Sequence, residues 1–403
     1  MNCDLSLLHP YPFEKLAELK RGLTPPADLS PIALSIGEPQ HAAPQFVMDS
    51  LIENLHQLSR YPSTKGNIAL RESTARWISN RFNINSTLID PEKHILPVTG
   101  TREALFAIAQ CLIDRTAKNP LVLMPNPFYQ IYEGAAILAG GKPHYLNCIE
   151  ANGYLPDLEA IEPQQWQDCQ LIYICTPGNP TGAVMSQAYL QQLISLSQKY
   201  DFVIASDECY AEIYYDESQP PPGLLGAAAD MGLTNFDRCL AFHSLSKRSN
   251  LPGLRSGFVA GDAKIIEKFL LYRTYHGSAM PPATQSASIV AWGEQSHVVE
   301  NRKLYREKFD CVLSTLANTL QPEKPQAGFY LWVTTPIPDT EFAVRLYAEQ
   351  NITVLPGSLL SRDTNEDNTN SNPGLNKIRM ALVAPLEECQ DAANRINTFL
   401  YHL

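Results

Sequence analysis

Between about residue 66 and residue 290 the chain alternates short apolar runs with helical stretches, and this alternation constrains the fold more than any other feature. "HILPVTG" leads into "TREALFAIAQCLI", and "PLVLMPNP" leads into "FYQIYEGAAILAG". "QLIYICTPGNP" precedes "SQAYLQQLISLSQKY", after which come "DFVIASDECY" and "CLAFHSLSK". Short β-rich runs separated by helices imply βαβ units around a mostly parallel sheet. The spacing predicts a helix over 187–200, with Leu190, Leu193, Ile194 and Ser197 on one face.

A chain of 403 residues is too long for one simple core. Residues 1–50 are rich in proline ("HPYPF", "LTPPADLSP", "IGEPQHAAP"), which reads as an extended arm that also lends a part to a small domain. Residues 51–285 form the large domain. From 286 to 403 the pattern changes to a long helix over 296–318, a strand in "GFYLWVTT" and a last helix over 386–401. The expected fold is therefore a three-layer α/β large domain with a mostly parallel sheet, plus a smaller α+β domain. The Asn/Asp/Ser-rich stretch "SRDTNEDNTNSNPG" (361–374) cannot build a core and is expected to be a solvated loop.

A net charge of −11 argues against a nucleic-acid binder or a ligand of acidic membranes, since both need a basic face. One local basic pocket for a small acidic substrate remains compatible with it. The nine cysteines show no C-x-x-C pair, and the histidines form no H-E-x-x-H pattern. Reduced thiols and no metal site are expected. No stretch approaches the ~20 apolar residues of a membrane span. The start lacks a basic region followed by an apolar core, so a cytoplasmic protein is expected.

In open α/β sheets ligands gather beyond the carboxyl ends of the strands, so what each strand ends in matters. The first ends in Thr99-Gly100-Thr101-Arg102 at a helix start, where free N–H groups suit an anion. An ordinary βα turn capped by threonine reads the same way. The second ends in Phe128 and Tyr129, which could cover a flat ring or simply pack in the core. The third ends in "TPGNPTG", whose prolines and glycines aim Asn179 in a defined direction and favour function. Asp207, with Tyr210 three residues on, is either a helix cap or a buried carboxylate in need of a cation. The fifth run ends in Ser244-Leu245-Ser246-Lys247, followed by Arg255.

Together these ends complement pyridoxal 5'-phosphate, which needs a lysine for covalent attachment, an acid at its pyridine nitrogen and donors for its phosphate. Lys247 and Asp207 suit the first two needs. Asn179 and Tyr210 suit the ring oxygen. Ser244, Arg255 and the N–H groups around Gly100, Thr101 and Arg102 suit the phosphate.

The strings "YPSTKG", "GTREAL", "TPGNPTG", "SDECY", "SLSKRSNLPGLRSG" and "IRMAL" resemble, in order and over nearly the whole chain, the class I/II aminotransferases of the fold-type I pyridoxal-phosphate superfamily. The resemblance implies that Lys247 anchors the cofactor and shuttles the α-proton, and that Asp207 keeps the pyridine nitrogen protonated. It also implies that Tyr210 and Asn179 bind the ring oxygen, and that Tyr129 stacks on the ring. Arg379 in "NKIRMAL" would clamp the substrate α-carboxylate, helped by Gly37 of "SIGEP" and by Asn179. Tyr61 would reach the phosphate of a second subunit, so a homodimer with shared active sites is implied.

Longer strings, such as "LHPYPFEKL" and "YRTYHGSAM", resemble the members that act on N-succinyl-LL-diaminopimelate with 2-oxoglutarate/glutamate. Arg21, Arg60, Arg102 and Arg273 are then candidates for the remaining carboxylates, and Arg248 has no assigned role. Competing readings are another class I/II aminotransferase (acetylornithine, aromatic or alanine type), a cysteine-conjugate β-lyase, or a non-catalytic cofactor-binding regulator. The last would need an appended basic module that the sequence lacks.

Overall fold

The apolar runs pair into one seven-stranded sheet. In spatial order its strands are Ile95–Val98, Gly257–Gly261, Cys239–Ser244, Val203–Asp207, Cys169–Cys175, Leu121–Asn126 and Lys142–Asn147. All neighbours are parallel except Gly257–Gly261, which runs antiparallel to both of its partners. The strands Leu121–Asn126 and Cys239–Ser244 are buried from end to end, and Val203–Asp207 is buried beyond its first residue, as a sheet covered on both faces requires. The computed structural model describes residues 1–364 and 372–403.

One face is covered by helices that include Ile68–Arg81, Gln187–Tyr200 and Pro282–Gly293, and the other by Thr101–Leu112, Ile131–Leu138 and Ala263–His276. The 187–200 helix has the expected bounds and buries the four expected residues, with Ser186 as its N-cap. This arrangement is the expected α/β architecture.

A second core surrounds a three-stranded antiparallel sheet, in spatial order Leu355–Pro356, Lys377–Ala381 and Tyr330–Thr334. Ile32 and Leu34 enter this core, and Ile32–Ala33 pairs in parallel with Ile352–Thr353. The long helix is Ser296–Leu316 and the last is Leu386–Tyr401. The expected change of layer at residue 286 falls inside the helix Pro282–Gly293, whose Ala287, Ala291 and Trp292 belong to the large sheet's core. The passage between cores occurs instead along Ser296–Leu316. Arg302 near its start pairs with Glu212 and Glu217, and Phe309, Val312 and Leu316 lie in the smaller core.

The N-terminal arm corrects another expectation. It is not wholly extended, because Pro12–Leu19 is an α-helix with proline at its first position. There the missing N–H would have had no helical partner, so proline starts the helix instead of breaking it. A further helix, Gln45–Glu53, packs on Pro282–Gly293.

Of the loop expected at 361–374, residues 365–371 lie outside the described residues. Its edges are not simply solvated. Ser361 is buried, and the Arg362 guanidinium grips both oxygens of buried Glu133 at 2.8 and 2.6 Å. No described helix is long and apolar enough to cross a membrane. No metal-ligating cluster occurs among the described residues.

Removing one partner of a buried ion pair leaves the other charge uncompensated, typically at a loss of about 3 kcal/mol or more. Glu133→Ala is therefore expected to lower unfolding stability by about 3 kcal/mol in a urea titration.

Candidate active site

The carboxyl ends of the parallel strands open into a cavity of ≈ 530 Å³, which the second core closes from above with Tyr330 and Arg379. Lys247 sits in the one-turn helix Leu245–Arg248, which is capped by the Ser244 hydroxyl accepting from the Ser246 N–H at 3.1 Å. The lysine Nζ donates to the carbonyl of Gly37. Burial lowers its pKa to about 8, with Arg379 and Arg255 adding to the shift while Cys209 and Glu38 oppose it.

Asp207 ends its strand with its carboxylate almost out of solvent. The Tyr132 hydroxyl donates to Oδ2 at 2.8 Å, and the Cys209 N–H to Oδ1 at 3.2 Å. Burial raises its pKa, and hydrogen bonds with the nearby charge of Lys247 pull the other way. Among the described residues it makes no ion pair. A carboxylate so placed calls for a cationic ligand.

Arg379 is held from three sides. Nη1 donates to the Asn179 side-chain oxygen at 2.9 Å, Nη2 donates to the Ser35 carbonyl at 2.7 Å, and the guanidinium carbon lies 4.4 Å from the Tyr330 ring centre. Its buried Nε has no partner among the described residues. Tyr330 in turn shares a 3.0 Å hydrogen bond with the hydroxyl of Tyr210. Gly37 passes so close that a Cβ there would sit 1.9 Å from the Tyr330 hydroxyl oxygen.

The other end of the cavity is built around Gly100, which has φ +91° and leads into the helix Thr101–Leu112. A Cβ on Gly100 would lie 2.2 Å from Nη2 of Arg255. Arg255 itself adopts φ 53°, and its Nη1 is held by the Pro252 carbonyl at 2.8 Å. Ser244, Ser246 and Thr101 complete this end of the cavity.

Thus the structure gathers Lys247, Asp207, Tyr210, Asn179, Thr101, Arg102, Tyr129, Ser244, Arg255, Arg379 and Gly37 around one cavity, with Gly100 directly behind it. Tyr61 is apart from it, fully exposed on this chain's surface. Of the four arginines considered for further carboxylates, only Arg102 lines the cavity. Arg273 is fully buried and pairs with Glu103, Arg21 pairs with Glu18 at the surface, and Arg60 is exposed elsewhere. Sequence reasoning missed Tyr330, Ser246, Tyr132 and Tyr11. Only Ser246, beside Lys247 in a hydroxyl-rich turn, carried a local signal.

Residues 30–396 match the family model described as aminotransferase class I and II. The chain belongs to that family. It is similar to an aminotransferase structure from Neisseria meningitidis, with 44% identity and a TM-score of 0.94 over 99% of this chain and 100% of that one. It is 31% identical to an LL-diaminopimelate aminotransferase from Moorella thermoacetica, over 98% of this chain and 96% of that one. A probable N-succinyldiaminopimelate aminotransferase structure from Thermus thermophilus is 26% identical with a TM-score of 0.81, covering 96% and 100% of the two chains.

This aminotransferase uses pyridoxal 5'-phosphate, and the residues present fit that group. Asp207 lacks the cation that a protonated pyridine nitrogen would supply. The absence of a Cβ on Gly100 lets the Arg255 guanidinium lie directly against the start of the helix Thr101–Leu112, a cation beside free N–H groups that would suit a phosphate. Asn179 gives its oxygen to Arg379, so its amide hydrogens would be the part able to meet a ring oxygen.

Only the neutral amine of Lys247 can attack an aldehyde. Because its pKa is depressed to about 8, the neutral fraction grows as pH rises toward that value and is nearly complete above it. Capture of pyridoxal phosphate by cofactor-free protein should therefore accelerate about tenfold per pH unit below the pKa and level off above it, followed by absorbance in rapid mixing. Gly100→Ala would push the Arg255 guanidinium aside and, with Arg255 holding the phosphate as expected, should weaken cofactor affinity by at least about tenfold in equilibrium titration.

Proposed function

We propose that Lys247 carries the cofactor and that the enzyme transaminates an amino acid with a second carboxylate at its far end, N-succinyl-LL-diaminopimelate or the corresponding oxo acid, against glutamate/2-oxoglutarate. The observation that carries the substrate reading is Arg102. It lines the cavity with no carboxylate partner among the described residues, steadied by the hydroxyls of Tyr129 at 2.7 Å and Tyr11 at 2.9 Å. A substrate held by Arg379 at its α-carboxylate would meet Arg102 with its distal one. Names of relatives that act on LL-diaminopimelate or its N-succinyl form support the diaminopimelate class, and with it a place in lysine biosynthesis.

Pyridoxal phosphate supplies the electron sink for the charge left on the substrate α-carbon. Asp207 holds a proton at the pyridine nitrogen, and Tyr210 and Asn179 orient the ring through its oxygen. Tyr129 covers the ring, while Ser244, Arg255 and the N–H groups from Gly100 to Arg102 fix the phosphate. Arg379 and Gly37 aim the α-carboxylate, so that the bond to the α-hydrogen lies within reach of Lys247, which takes and returns the proton as a general base.

A specific observation favours a second reading, LL-diaminopimelate itself. Its distal end carries an ammonium as well as a carboxylate, and Glu38 lines the same cavity. Initial rates with both compounds, acetylornithine, alanine and phenylalanine will decide. Highest kcat/KM for the succinyl compound supports the first reading, for free LL-diaminopimelate the second, and for a monocarboxylic amino acid overturns both. Arg102→Met should raise KM for the dicarboxylic substrate about tenfold or more while leaving alanine turnover nearly unchanged.

The working unit is a homodimer in which Tyr61 contacts the cofactor of the second subunit. Met48, Ile52, Leu55 and Leu58, just before it, are exposed apolar residues in need of a cover. Light scattering at dimer mass, with weaker cofactor binding in Tyr61→Phe, is the expected result.

A further inference from the structure

Asn301 projects from the long helix Ser296–Leu316 at the level of Lys247 and is 2% exposed. Its amide nitrogen donates to the backbone carbonyl of Lys247 at 3.3 Å. A carbonyl can only accept, so this bond fixes which end of the amide is oxygen. That oxygen receives the Asn250 amide at 3.0 Å and His41 Nδ1 at 2.7 Å. His41 must then carry its proton on Nδ1, and its buried Nε2 has no partner among the described residues. Burial lowers the pKa of His41 and Lys308 assists, while the hydrogen bond to Asn301 opposes the shift without reversing it, in keeping with a neutral ring.

His41 belongs to the loop that carries the substrate-facing backbone. In that loop Ser35 accepts from Arg379 and Gly37 accepts from Lys247 Nζ. The ring of His41 packs on Tyr305 at 4.6 Å, Tyr305 on Phe329 at 5.5 Å, and Phe329 lies 5.3 Å beneath Lys247 Nζ. Lys247 is thus bound to one loop twice, through its amine directly and through its backbone by way of Asn301.

We propose that Asn301 is a positioning residue for this reaction, tying the backbone of Lys247 to His41 so that the lysine and the loop bearing Gly37 keep one fixed geometry. A buried asparagine with both ends engaged holds orientation better than a packing residue could, because each of its bonds has a required direction. The inference rests on Lys247 as the cofactor lysine and does not depend on which amino acid is the substrate.

The test uses full-length protein loaded with pyridoxal phosphate. The absorbance band of the cofactor–lysine linkage is titrated against pH in the parent protein and in Asn301→Ala, Asn301→Asp, His41→Phe and the double variant His41→Phe/Asn301→Ala. Cofactor occupancy and melting temperature are measured alongside. Asn301→Ala removes a donor near the linkage and should raise its midpoint, and Asn301→Asp adds negative charge and should raise it further, by about one pH unit. His41→Phe should shift the midpoint in the same direction by less. The double variant should match Asn301→Ala, since His41 acts through Asn301. Unchanged midpoints in both Asn301 variants at normal occupancy would overturn the proposal, as would additive shifts in the double variant. If the Asn301 variants do not fold, His41→Phe decides alone, and an unmoved midpoint rejects the tie. A titrating band that persists in Lys247→Ala would instead reject the assignment of Lys247.

Discussion

Asp207 holds a carboxylate at the end of a central strand, nearly without solvent, with a tyrosine hydroxyl and a backbone N–H for company. Such a group is unfavourable in an apolar interior unless a cation meets it. The sheet can place it there because strands on both sides are rigidly paired, from Cys175 opposite Asp207 to Phe242 opposite Asp207. A protonated ring nitrogen of the cofactor would be a cation able to resolve this imbalance, so folding and cofactor binding would share one electrostatic problem. The neighbouring Lys247 is unbalanced in the opposite sense, with burial pushing it toward the neutral amine.

The second core matters to the site through few but strong contacts. Arg379 comes from its sheet, yet it is hydrogen-bonded to Asn179 at the end of a strand in the first and to Ser35 in the linking loop. Tyr330 meets Tyr210 in the same way. The two cores therefore meet at Asn179, which serves Arg379 with its oxygen at the edge of the cavity. Residues at this junction should tolerate change poorly even where their own burial is modest.

Much of this was legible in the sequence because the strand ends are short, local and chemically loud. A lysine in a hydroxyl-rich turn, an aspartate after "VIAS" and an asparagine between prolines each announce themselves within ten residues. Tyr330 does not, since it sits inside an apolar strand and its importance arises only when Gly37 passes against it. Arg102 was visible as a cation, but its steadying by Tyr11 depends on a helix that proline-rich composition disguised. The boundary near residue 286 failed for a related reason. Hydrophobic spacing reports that a helix exists but not which sheet it covers, and Pro282–Gly293 covers the larger one.

The helix Ser296–Leu316 has 21 residues and touches both cores, which makes it a lever as well as a spacer. At about 1.5 Å per residue, Leu316 lies about 22 Å along the axis from Asn301. A tilt of about five degrees pivoting at Asn301 would carry that far end through about 2 Å, enough to reseat the smaller core. Read in reverse, a displacement of ångströms in the smaller core is geared down to tenths of an ångström beside Lys247.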